Sequence, residues 1–175
     1  MTIHFGDSTS IATATGLGAG ILQVKQTVRT STFTQSVGQG NESSVLCGVN
    51  ITPSSSSNKI LVMVTAEMAL NTTHGRCFTL KRDSTSICIG DADGSRSRRT
   101  SGSSSTNSSS PSPIVMTFLD DPQTTSALTY GFTLSHNENG TLTVKLNMTD
   151  SDTNGSHIAR FASTCTVMEI DSGIL

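Results

Sequence analysis

Apolar and polar residues alternate with a period of two along most of the chain. No stretch shows the three-to-four spacing of an amphipathic helix. Short runs rich in Val, Ile, Leu and Thr stand between clusters of Ser, Asn, Gly and Pro, the punctuation of strands and turns. The pattern predicts strands at ILQVKQTVRT (21–30), SVLCGVNIT (44–52), KILVMVTAEM (59–68), CFTLKR (77–82), SICIG (86–90), IVMTFLD (114–120), TYGFTLSH (129–136), TLTVKLNM (141–148) and STCTVMEI (163–170). Eight or nine strands at this spacing predict an all-β protein built as an antiparallel jelly-roll sandwich.

One pair of strands suggests a hairpin. TYGFTLSH and TLTVKLNM flank Asn137-Glu138-Asn139-Gly140. Directly opposed residues share a face, so Leu134 is expected across from Val144 and Phe132 across from Leu146. A three-residue loop gives that register and puts Gly140 where φ is positive. The other face, with Thr133, Ser135, Thr143 and Lys145, is expected to look at water.

Two strands are apolar on both faces. KILVMVTAEM carries Ile60, Val62, Val64, Ala66 and Met68 on one face, and Leu61 and Met63 on the other. IVMTFLD carries Ile114, Met116 and Phe118 on one face, and Val115 and Leu119 on the other. Such strands need cover on both sides, and a two-sheet sandwich covers one. With no helix to supply the second cover, it falls to long loops or to a neighbouring copy of the subunit. Leu61, Met63, Val115 and Leu119 are therefore candidate subunit-interface residues.

Composition narrows the function. Charged residues make up 14% and the net charge is −2, so a nucleic-acid partner is not expected. There is no Trp and one Tyr, Tyr130, too few for a stacking platform. The first 20 residues hold no Lys, Arg or apolar run, so no secretory signal is expected. The longest apolar run, ILVMV (60–64), is too short for membrane insertion. Cys47, Cys77, Cys88 and Cys165 lack metal or redox spacing and read as reduced thiols. Cys47 shares its alternation with Val45, Val49 and Ile51, so it is expected in the core. A serine-rich insertion, 94–113, reads as a polar loop, with Arg96, Arg98 and Arg99 as candidate exposed contacts.

Enzyme signatures are missing, and no cofactor is expected. Asp91-Ala-Asp-Gly lacks the glutamate that closes a calcium loop. Asp120 and Asp121 are adjacent on a strand and point to opposite faces, a poor acid/base pair. His4, His74, His136 and His157 lie in separate segments.

In order, the blocks ILQVKQT, SSSSNKILVMVT, FTLKRDSTSICIGDADGSRSR, MTFLDDPQTTSALTY and STCTVMEI resemble a recurrent module of tailed-bacteriophage virion proteins. The resemblance spans about residues 20 to 170. It implies a jelly roll of the tumour-necrosis-factor-like kind, assembled as a homotrimer without enzymatic activity. It also implies other virion proteins of tail or capsid as partners, a host cell-surface receptor, and location in the virion. The family module usually lacks so long a serine insertion. Phage appendage proteins often dock through a short N-terminal peptide, and MTIHFGDSTS offers Ile3 and Phe5 at strand spacing for adding to a partner's sheet edge. The expected organisation is an N-terminal docking arm and linker over 1–20 and a jelly roll over 21–175. Two roles fit this organisation, a trimeric appendage held by its arm and a capsid cement protein gripping the shell.

Overall fold

The computed structural model describes residues 3–4, 10–11, 20–70, 75–103, 111–156 and 158–175. Two antiparallel sheets pack face to face as a jelly-roll-like sandwich. The first sheet, sheet I, is made of β3 (Ile21–Arg29), β4 (Phe33–Gly38), β6 (Lys59–Ala69), β10 (Ser112–Asp120), β12 (Thr141–Leu146) and β13 (Ser163–Ile170). Sheet II is made of β5 (Leu46–Ile51), β7 (Arg76–Arg82), β8 (Thr85–Ile87), β9 (Ser101–Ser103) and β11 (Leu128–His136). In sheet I the order β3-β13-β6-β10 forms a broad slab, and β12 continues past the end of β13 along β6 and pairs onward with β4. In sheet II the order is β5-β11-β7-β8, with β9 beside β8 along β7. A separate antiparallel pair, β1 (Ile3–His4) with β2 (Ser10–Ile11), belongs to neither sheet.

The core follows from the alternation. Sheet I turns Val62, Val64, Met68, Ile114, Met116, Cys165 and Val167 inward. Sheet II answers with Leu46, Val49, Ile51, Phe78, Leu80, Phe132 and Leu134. Each such side chain contributes roughly 1.5–3 kcal/mol by leaving water. Cys47 is buried, as its alternation predicts, but Val45 is exposed. A bulge opposite Gly131 breaks the period there, with Cys47 at φ 51. Gly131 has no room for a side chain: a Cβ would stand 2.6 Å from Val45 Cγ1 and 2.8 Å from the Leu46 carbonyl.

The expected hairpin does not form. β11 pairs with β5 and β7, while β12 pairs with β4 and β6. Asn137–Gly140 carries the chain from one sheet to the other, with Gly140 at φ 84. Leu134 and Val144 do share the core, but from opposite sheets. Alternation reports which way a strand faces, and it is silent about the strand's partner. Two strands of the sandwich lie outside the expected set, β4 and β9, as do β1 and β2, and β9 falls inside the serine-rich insertion. Residues 104–110 of that insertion lie outside the described residues.

Two buried carboxylates pin the sandwich. Asp120 accepts from the buried Tyr130 hydroxyl at 2.6 Å and from Arg82 Nη1 at 2.8 Å, joining sheet I to sheet II. Glu169, fully buried, accepts from Gln23 Nε2 at 2.6 Å, Ser54 N at 2.7 Å, Ser54 Oγ at 2.8 Å and Asn58 Nδ2 at 2.7 Å. Burial alone would raise its pKa, yet these donors hold it at about 2.

Candidate functional site

The register assembles one surface from residues far apart in sequence. Across the outer face of sheet I, Val24, Met168, Leu61 and Leu119 stand side by side on β3, β13, β6 and β10. The next row is Gln26, Thr166, Met63 and Thr117, and the third is Val28, Thr164, Thr65 and Val115. Hydrogen bonds tie the polar members to one another, Gln26 Nε2 to Thr166 Oγ1 at 2.8 Å and Thr65 Oγ1 with Thr164 Oγ1 at 2.8 Å. Their polar atoms are thus partly satisfied within the face, leaving its apolar members for contact. Val24, Val28, Met63, Val115 and Leu119 are exposed, Val115 to 72%. All four interface candidates from the sequence lie on this face. Val24, Val28 and Met168 join them through the pairing of β3 with β13, a feature that strand periodicity alone does not reveal.

The outer face of sheet II is built the other way. Its residues are small or polar, yet Thr79, Thr133 and Ser135 are fully or almost fully buried. The chain covers them itself. Ser43 N donates to the Leu134 carbonyl at 2.8 Å and Glu42 bridges to Ser135, so residues 42–43 run beside β11 and the Glu42 side chain reaches over the face. Glu42 then receives Lys81 Nζ at 2.6 Å and Arg99 Nη1 at 3.1 Å. Burial pushes the Glu42 pKa up, but hydrogen bonds from Lys81 and Thr79 and the charge of Arg99 bring it below the ordinary value.

The three loop arginines part company. Arg96 is exposed and paired with Asp93, and Arg98 is exposed with its Nε on the Gly90 carbonyl at 2.6 Å. Arg99 is turned inward, with Nη2 on the Gly40 carbonyl at 2.6 Å. It is a strut of the sheet II cover rather than an exposed contact. Arg96 lines an open polar groove with Gln39, Ser95, Ser97 and Asn137.

Strand directions give the sandwich two distinct ends. At one end, Asp171 N bonds the Gly20 carbonyl at 2.9 Å, so Gly20 and the C-terminal residues lie together. The Arg96 groove, the Asn137–Gly140 crossing and the Ser103 and Ser112 borders of the serine-rich segment lie at the opposite end. Ile3 pairs with Ile11 in the small hairpin, while Phe5 lies outside the described residues.

Asp120 and Asp121 diverge as expected: Asp120 serves Tyr130 and Arg82, and Asp121 pairs with Lys59 at the surface. Among the described residues, no group of three or more His, Cys, Asp or Glu side chains could hold a metal ion. Among the same residues, no helix is long and apolar enough to cross a membrane.

No family model matches the chain, and no curated protein matches it. Among solved structures, the chain is similar to a chain of infectious bursal disease virus Gt strain, with TM-score 0.43 and 11% identity over 98% of this chain and 42% of that one. A chain of the Gx strain gives TM-score 0.38 and 8% identity over 86% of this chain and 37% of that one. This chain spans about two-fifths of the length of these neighbours. At these scores the likeness assigns neither family nor function.

Proposed function

We propose that this chain is a non-enzymatic structural subunit of a phage virion. In this reading it is a homotrimeric fibre-like or knob-like appendage, held to the particle by its N-terminal arm and presenting its opposite end to the host surface. The observation that carries the reading is the contrast between the two sheets. The chain covers the polar outer face of sheet II with its own Glu42 and Arg99, and among the described residues it leaves Val24, Val28, Met63, Val115 and Leu119 of the outer face of sheet I exposed. An apolar slab of this breadth marks an assembly surface. Copies of the same chain are the occupant the reading names, because the resemblance to phage virion modules implies a trimer.

The two ends support the rest. Gly20, the first described residue after the arm, lies at one end, and the Arg96 groove with the Ser103 and Ser112 borders of the serine-rich segment lies at the other. β1 and β2 pair with each other and with neither sheet, which supports an arm that is not part of the sandwich. Burying Ile3 and Phe5 in a partner would contribute roughly 3–6 kcal/mol per chain. Ordering the arm costs a similar amount. One arm alone would bind weakly, and three arms on one trimer would bind firmly through effective concentration.

Deleting residues 2–18 tests the anchoring. The expected product is a folded, soluble trimer with unchanged melting that is absent from purified particles. If the deletion unfolds the domain, the arm is part of the core. If the truncated trimer still incorporates at full occupancy, the docking surface lies on the sandwich, and the capsid-cement role replaces the appendage.

A further inference from the structure

β3 and β5 are end strands of their sheets on the same side of the sandwich, and no backbone ladder joins them. Side-chain bonds cross this seam: Thr27 Oγ1 donates to the Gly48 carbonyl at 2.9 Å, and Gln23 Nε2 to the Thr52 carbonyl at 2.8 Å. Two thiols lie directly behind it. Cys165 on β13 is the cross-strand partner of Thr27 and is fully buried. Cys47 on β5 adjoins Gly48, so Thr27 neighbours both cysteines. β5 packs against β13, and Cys47 and Cys165 belong to one buried core cluster, so the two thiols face a common space behind the seam. Neither cysteine is in a disulfide. They differ in access. Cys47 lines an open cleft with Thr27, Val28, Arg29, Ser31 and Val45, while Cys165 is sealed inside.

We propose that Cys47 and Cys165 form a latent disulfide that stitches β5 to β13 when the protein meets a small-molecule disulfide oxidant. The Cys47 thiolate attacks one sulfur of the oxidant from the cleft, forming a mixed disulfide and releasing one thiolate. Cys165 then loses its proton to solvent and attacks the Cys47 sulfur, expelling the second thiolate. Two protein thiols are oxidised by two electrons, and the oxidant is reduced to two thiols. The order of events follows the surroundings. Burial pushes the Cys47 thiol up, and the Arg29 guanidinium draws it part of the way back. Burial and the neighbouring Cys47 push Cys165 up to about 12, which makes the second step slow and faster at higher pH. The bond links the two sheets where no ladder does, and closes a long loop of the unfolded chain.

The test is incubation of the full chain with oxidised glutathione at pH 8, then thiol titration under denaturing conditions and peptide mass mapping. The expected result is a loss of two of the four thiols, a mass lower by about 2 Da, a peptide joining Cys47 to Cys165, and a higher melting temperature. Cys165→Ser should stop at one glutathione on Cys47. Should that variant fail to fold, the time course of the unaltered chain still decides, because the mixed disulfide must appear first and then decay. Glutathione retained on Cys47 at the end point, a link to Cys77 or Cys88, or four surviving thiols would overturn the proposal.

Discussion

The outer face of sheet II is polar and buried, whereas the outer face of sheet I is apolar and exposed. On sheet II, Thr79, Thr133 and Ser135 lie beneath Glu42 and Arg99 of the same chain. On sheet I, Val24, Val28, Met63, Val115 and Leu119 are exposed, and among the described residues none hides them. Composition alone would assign cover the other way round. The difference teaches that cover depends on where the chain sends its connections. The side chains of Glu42 and Arg99, from segments that border β11 and β7, meet over sheet II, held by charge-assisted bonds that polar neighbours tolerate. Among the described residues nothing comparable crosses β3, β13, β6 and β10, and their outer face stays exposed.

Charge inserted on each face gives the largest contrast. Thr133→Asp places a carboxylate under the Glu42 cover and is expected to cost about 3 kcal/mol or more, enough to abolish cooperative unfolding in a urea titration. Val115→Asp lies in the open on the isolated subunit, so it should change subunit stability by less than about 0.5 kcal/mol while lowering the assembled mass. Equal loss of folding in both variants would break the comparison.

A smaller effect is expected at the cover itself. Glu42→Gln leaves the buried Lys81 and the largely buried Arg99 without their carboxylate and should cost about 1–3 kcal/mol in denaturant unfolding. Assembly should persist in this variant, because the sheet I face is untouched. Simultaneous loss of assembly would show that the two faces are coupled.

Much of this was legible in the chain. The two-sided apolar pattern of β6 and β10 named Leu61, Met63, Val115 and Leu119, because a period of two separates faces without any knowledge of neighbours. The partners of each strand were not legible. The apolar faces of β11 and β12 are satisfied equally by a hairpin and by strands in opposite sheets, and the structure takes the second arrangement. β4, Phe33–Gly38, escaped notice because Phe33 and Val37 are its only large apolar residues. The cover of sheet II escaped for a related reason. Thr133 and Ser135 read as water-facing, and only the fold shows Glu42 and Arg99 lying over them. Arg99 accordingly read as one of three loop contacts and proves to be a strut.

The smallest effect concerns pH. Glu169 has a folded pKa near 2 against an ordinary 4.5, and Glu42 is lowered as well. The unfolded chain therefore binds protons more readily between these values. The stability that both groups contribute is fully present above about pH 4.5, and falls as pH drops toward 2. Glu169→Gln should flatten this acid limb in melts taken from pH 5 to 2.5. Assembly through an apolar face should hold steady from pH 6 to 8, so a mass that changed with pH in that window would point to a charged interface instead.

The most direct measurement is the solution mass of the full chain by light scattering at micromolar concentration, repeated for Leu61→Asp. The apolar face of sheet I as a homotrimer interface requires a mass near three times 18.3 kDa, falling toward the monomer in the variant while the β-sheet circular dichroism is retained. A stable monomer of 18.3 kDa for the unaltered chain would contradict it.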